Sequence, residues 1–191
     1  MTKEGELELV SILRKYDMQC IHQLQQKKIT DYLPENPKSR KEARYWLDKN
    51  RELPRNRHTL EIDIFSWKDC HWGALAIEQK SQRCAPKTLH VSNDLRLYSG
   101  RAELRNGAQD LYLQCQGAGC LGRAYAAANY INSKVIPVGV VDYDISIHGT
   151  PAKWAFYEGA FFVNTEHFEE FLENFLDKWG WVRNMAEGNT L

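Results

Sequence analysis

Three glycines, a cysteine and an arginine crowd into one short stretch of this chain, Gly117-Ala118-Gly119-Cys120-Leu121-Gly122-Arg123. Glycine has no Cβ, so the main chain can approach an anion closely. If a helix opens there, its free N–H groups and the positive end of its dipole converge on the same point. Arg123 adds a planar cation suited to bidentate contact with phosphate. In a first helical turn that cation opposes the dipole unless an anion is also present, so Arg123 is the leading catalytic candidate. The expected phosphate-binding set is Gly117, Gly119, Cys120, Leu121, Gly122 and Arg123. Catalysis there would be electrostatic: main-chain N–H groups and the guanidinium stabilise charge building on a phosphoryl group.

The surrounding residues are expected to supply a strand at Leu111–Cys115, the glycine turn, an alanine-rich helix through Ala124–Ala128, and a strand at Val135–Val138. Two families resemble this order. Gly117 to Gly122 matches the GxGxxG of a Rossmann dinucleotide-binding unit, and Asp142 lies where a ribose-binding acid would sit. That resemblance implies a nicotinamide-binding oxidoreductase using NAD. The same residues, with Gly119 to Arg123 leading into Ala124-Tyr125-Ala126-Ala127-Ala128 and then Ile136-Pro137, resemble the ParB/sulfiredoxin superfamily. Leu111, Leu113 and Cys115 alternate with Tyr112, Gln114 and Gln116, a half-exposed pattern that favours the second family over a doubly buried Rossmann strand. A third alternative is structural: the glycines merely let a helix pack against a sheet.

The ParB/sulfiredoxin resemblance implies an α+β fold, a mixed sheet with an N-terminal helical segment and a C-terminal helix. It implies ATP bound at the turn with Mg²⁺, nucleotide hydrolysis and cleavage of DNA. Within the superfamily the chain looks most like plasmid fertility inhibition factors, which block conjugative transfer of DNA. This implies a bacterial cytoplasmic location, single- or double-stranded DNA as partner, and a protein partner in the transfer system. A non-catalytic, nucleotide-switched DNA-binding protein is the alternative within the same resemblance. Cys120 occupies the position of the sulfiredoxin reactive cysteine, and a helix N-terminus with a nearby arginine would favour its thiolate. The family histidine is missing, however, with Leu121 and Gly122 in its place. Gln116 and Gly117 stand where many relatives carry an acid, so carboxylates must come from elsewhere: Glu103 as a catalytic candidate, Asp142 and Asp144 as metal ligands, and Asp110 nearby. Asn93, Arg96 and Arg101 are placed to reach a nucleotide or a phosphate backbone, and Tyr98 to stack on a base.

The 191 residues carry no net charge, but the charge is unevenly placed. Residues 26–57 hold ten Lys/Arg against five Asp/Glu, and residues 79–105 hold six against two. Residues 158–191 hold two against seven. A polyanion would be drawn to the first two regions and repelled by the third. Five cysteines, an odd number, with no secretory signal argue for a reducing compartment. The cysteine and histidine spacings, including Cys70-His71, Cys84 and His90, are poor for zinc. No apolar run reaches membrane-spanning length; Val135–Val141 is far too short.

Two regions are expected: an N-terminal helical segment with a basic linker, 1–57, and a ParB/sulfiredoxin-like domain, 58–191. In the first, helices are expected on either side of Asp17, with Leu7, Val10 and Leu13 and then Met18, Ile21 and Leu24 as apolar faces. A third, capped by Ser39 with Glu42, should run over 40–49. In the second, strands are expected where Leu60, Ile62 and Ile64 alternate with Glu61 and Asp63, and at 73–78, 88–91, 144–148 and 154–163. The apolar spacing of Phe168, Phe171, Leu172, Phe175, Leu176 and Trp179 predicts a final helix, capped at Asn164 or Thr165 and ended by Gly180.

Overall fold

Leu9, Val10 and Leu13 recur at helical spacing, and Lys3–Lys15 forms helix α1 with these three buried and Leu7 left exposed. In this computed structural model the described residues are 3–25, 61–69, 71–80, 88–91, 97–99 and 105–186. The chain turns at Asp17, which has a φ of 58°, and continues as strand β1, Gln19–Gln25, where a second helix was expected. Met18, Ile21 and Leu24 have a helix-like spacing, but pairing with β2 (Glu61–Trp67) overrides it. The expected helix at 40–49 lies outside the described residues.

Strand β3 is Gly73–Lys80, β4 is Thr88–Val91 and β5 is Leu97–Ser99. Then follows helix α2, Arg105–Ala128, and strands β6 (Lys134–Val141), β7 (Asp144–Ile147), β8 (Thr150–Ala152), β9 (Trp154–Tyr157) and β10 (Ala160–Asn164). A short 3₁₀ turn, Thr165–His167, leads into helix α3, Phe168–Ala186. The main sheet has the order β1-β2-β3-β6-β10-β9. In it β2 is antiparallel to both β1 and β3, while β3, β6 and β10 run parallel. A second sheet has the order β5-β4-β7-β8. The architecture is α+β with a mixed sheet, an N-terminal helix and a C-terminal helix, and α1 and β1 share one apolar cluster with β2, β3, β6, β10 and α3. The expected boundary at 57/58 falls outside the described residues.

Both faces of the main sheet are covered. Leu75, Ile77, Val138 and Val140 meet α1 and the Phe168, Phe171 and Phe175 stripe of α3. Ala74, Ala76 and Phe65 meet Ala118, Leu121 and Tyr125 of α2 on the other face. A third apolar cluster, including Leu89, Leu111, Ile145 and Phe162, joins the second sheet to the first. Two hairpins have two-residue loops with both residues at positive φ, His148-Gly149 and Glu158-Gly159, the geometry that matches strand twist. The second of these divides the expected single strand at 154–163 into β9 and β10. Asn164 caps the final helical segment by accepting from the Glu166 N–H, as expected. Helix α3 runs on through Gly180 rather than ending there. Among the described residues no helix is long and apolar enough to cross a membrane.

The largest correction concerns residues 105–128, which form one continuous helix. There is no strand at Leu111–Cys115 and no turn at Gly117–Gly122. The glycines act as the structural alternative anticipated. A Cβ on Gly122 would lie 2.9 Å from a Val135 methyl and 3.1 Å from the Phe65 ring; one on Gly119 would lie 2.8 Å from Pro137. The alternation of Leu111, Leu113 and Cys115 imitates a strand because the helix is covered around much of its girth, which blurs the 3.6 period.

A buried carboxylate pair where the sheet forks

The β2–β3 ladder runs from Trp67 opposite Ala74 to Ile64 opposite Ile77 and stops. On either side the pairing continues, to Glu61 between β1 and β2 and to Lys80 between β3 and β6. The sheet therefore forks between Asp63 and Glu78, and the Asp63 side chain takes the place of one missing ladder bond. The Gln79 N–H donates to Asp63 Oδ2 at 2.8 Å. That bond satisfies a main-chain donor that the fork would otherwise leave unpaired.

Asp63 is 3% exposed and Glu78 6%. Glu78 Oε1 is buried without a hydrogen-bond partner. Burial pushes the Glu78 carboxyl well above the usual range, and the charge of Asp63 adds to the rise. Asp63 is raised as well, by burial first and also by Glu6, against the opposing Gln79 hydrogen bond. Lys80 ends β3 two residues beyond Glu78, on the same face and about 7 Å along the strand. It is the nearby cation that favours the charged form of both acids. From the other face the first turn of α1 rests on Gln79: a Cβ on Gly5 would collide with its side-chain amide. The next residue, Glu6, is buried and paired with His22 of β1. Cys115 of α2 is fully buried near Glu78, Lys80 and Asp63.

Two hard oxygen-donor groups at the C-terminal end of β3, one with an unused oxygen, suit Mg²⁺, which needs only one or two carboxylates and keeps several waters. Among the described residues no set of three or more His, Cys, Asp and Glu could cage a metal ion. A partly hydrated magnesium site does not require such a set.

The expected phosphate site is dispersed by the continuous helix. Arg123 lies eighteen residues beyond the start of α2, about 27 Å along its axis, so the helix N-terminus cannot serve it. Its guanidinium folds back along the helix, donating from Nη1 to Cys120 Sγ at 3.8 Å, close to Gly119. Leu121 is core, and the N–H groups of Gly117, Gly119, Cys120 and Gly122 belong to a helix interior rather than an open cradle. The same geometry removes the basis for a Rossmann phosphate turn. It also removes the helix-terminus argument for a Cys120 thiolate. Asn93, Arg96, Arg101 and Glu103 lie outside the described residues. Asp142 and Asp144 are exposed. Asp144 lines a cleft of about 610 Å³ beside Glu166 and His167, and neither Asp63 nor Glu78 lines it.

Asp63 and Glu78 carried a sequence signal that period-two reasoning misassigned. Asp63 counts as solvent-facing if Ile62 and Ile64 are the buried face, yet β2 is buried on both faces. Glu78 continues the face of Ala74 and Ala76, which lies under α2, and an acid on a covered face needs a reason. Comparison of the chain with protein-family models, curated proteins and solved structures found no match.

Proposed function

We propose that this chain is a Mg²⁺-dependent hydrolase of phosphate esters, acting on DNA, with Asp63, Glu78 and Lys80 as its centre. The observation that carries the reading is the buried pair of carboxylates at the fork, one oxygen of which has no partner. A fold tolerates such a pair at a cost, and a cation shared between them offsets it. Bound there, Mg²⁺ would polarise a phosphate oxygen and acidify a water. Asp63 and Glu78 would hold the ion through their carboxylate oxygens. Lys80 places an ammonium next to the reacting phosphoryl group, where it stabilises developing negative charge. The Gln79 N–H fixes Asp63 in place through its 2.8 Å hydrogen bond.

Charge supports a polyanionic substrate. The chain leaves β1 at Gln25 and enters β2 at Glu61, a paired position beside Asp63, and the residues between carry the whole of the first basic region. The second basic region begins at Lys80 itself. The same centre is the proposed seat of ATP hydrolysis, since a phosphoanhydride presents the same oxygens. The ParB/sulfiredoxin assignment and a role in blocking conjugative transfer remain part of the proposal, resting now on the alanine-rich helix through Ala128 and the strand holding Ile136-Pro137, since the glycine turn that led the resemblance is helical. A nuclease cutting DNA in transit would produce such a block.

The test is cleavage of single- and double-stranded DNA, with ATP hydrolysis measured alongside, in Mg²⁺ and in EDTA. Asp63→Asn, Glu78→Gln and Lys80→Ala should each lower Mg²⁺-dependent cleavage by about 10²–10³-fold or more. Arg123→Ala should retain it. Full activity in Glu78→Gln, or loss in Arg123→Ala with Glu78→Gln unaffected, would return the chemistry to the helix and overturn the reading.

A further inference from the structure

The main sheet carries one row that crosses the fork: Glu78 on β3 is in register with Gly139 on β6, and Gly139 with Phe162 on β10. Residues in register project to the same face, here the face under α2. A Cβ on Gly139 would stand 3.1 Å from Cys115 Sγ. The thiol therefore lies against the space a side chain at 139 would fill, and position 139 is one strand spacing, about 4.8 Å, from Glu78. Cys115 is 0% exposed and not in a disulfide. The unpartnered Oε1 of Glu78 lies on the same covered face.

We propose that Cys115 makes this centre a binding site for a thiophilic divalent cation, Zn²⁺ or Cd²⁺, held by the Cys115 sulfur and the Glu78 carboxylate in the position proposed for Mg²⁺. The inference rests on the Mg²⁺ reading for its consequence, inhibition, but not for the binding itself. Binding replaces the S–H bond with a metal–sulfur bond and releases the proton to solvent, since a coordinating thiol is deprotonated. Thiolate prefers soft cations and carboxylate is tolerant, so the pair selects Zn²⁺ or Cd²⁺ over Mg²⁺. Lys80 offsets the carboxylate charge, and the thiolate supplies the further negative charge a dication requires. Remaining coordination positions would fall to water, leaving the ion seated where substrate oxygens are needed.

The experiment uses the full chain with Cys20, Cys70, Cys84 and Cys120 replaced by Ser, so that Cys115 is its one thiol. Cd²⁺ titration should produce the ultraviolet sulfur-to-cadmium charge-transfer band at one ion per chain. Adding Cys115→Ser or Cys115→Ala should abolish the band. Glu78→Gln should weaken Cd²⁺ binding about tenfold or more, and Asp142→Asn should leave it unchanged. In the otherwise native chain, Cys115→Ala should retain Mg²⁺-dependent cleavage and require at least about tenfold more Cd²⁺ for inhibition. Absence of the band, or a band indifferent to Glu78→Gln, overturns the inference even if the nuclease reading stands. A band that behaves as expected in a chain that never cleaves DNA sinks the nuclease reading and leaves this site intact.

Discussion

Burying Asp63 and Glu78 side by side costs free energy, because each carboxylate loses its water and meets the charge of the other. Both folded-state values are raised, so the native state holds protons that the unfolded chain has already released. Stability then falls as pH rises, from the ordinary carboxyl range near 4 up through the raised folded values. Chemical denaturation should show the wild type losing stability across this window more steeply than Glu78→Gln. At neutral pH without Mg²⁺, Glu78→Gln should be the more stable protein by about 1 kcal/mol or more, roughly 2–4 °C in midpoint. Mg²⁺ should raise the wild-type midpoint and leave that of Glu78→Gln nearly still. A lower midpoint for the Gln variant would mean that the charged carboxylate contributes to the fold rather than burdening it. Tyr112 is a different case: burial and its hydrogen bond to Glu158 push its phenol up to about 12, which keeps it neutral and able to donate.

Helix α2 is positioned by absences as much as by packing. Glycine within a helix ordinarily costs about 1 kcal/mol relative to alanine. Gly119 and Gly122 offset that cost by letting the helix approach Pro137, Val135 and Phe65 closely. Gly122→Ala should therefore destabilise by roughly 1–3 kcal/mol, although it improves helix propensity. Thermal melts decide the sign, and a rise in midpoint would show that the sheet yields. The Glu158-Gly159 hairpin supplies the contrast. A Cβ at Gly159 meets nothing, but the residue has a φ of 84°. Gly159→Ala should cost about 1–2 kcal/mol through backbone strain alone. Close approach matters at the fork too, where the β2–β3 ladder ends and the Asp63 side chain takes over one of its hydrogen bonds.

Across the whole molecule, the zero net charge conceals a basic region on either side of the fork residues in sequence and an acidic C-terminal region. If the basic regions lie along a phosphate backbone, DNA affinity should fall steeply with salt. Replacing Arg51, Arg55 and Arg57 together by Ala should reduce the log–log salt slope by about 0.9 for each phosphate that these arginines neutralise. Binding titrations at several salt concentrations measure this, and an unchanged slope would remove these arginines from the interface. The Glu78→Gln variant is suited to the measurement, since on the proposed chemistry it should bind with little cutting.

The positions of α1, β3, β4, β7 and the aromatic helix α3 were legible from local pattern, because each carries a period or a cap that needs no distant partner. So was the alternating strand β2, although not which of its faces was buried. The continuity of α2 was not legible, because helix and strand periods blur when an element is covered on several sides, and glycines read as turn residues until a neighbour occupies the missing Cβ space. Nor was the convergence of Asp63 with Glu78. Those two acids meet because antiparallel pairing of β2 and β3 brings them together at the point where the ladder ends. Register and burial are properties of paired strands and packed layers, and no single stretch of chain contains them.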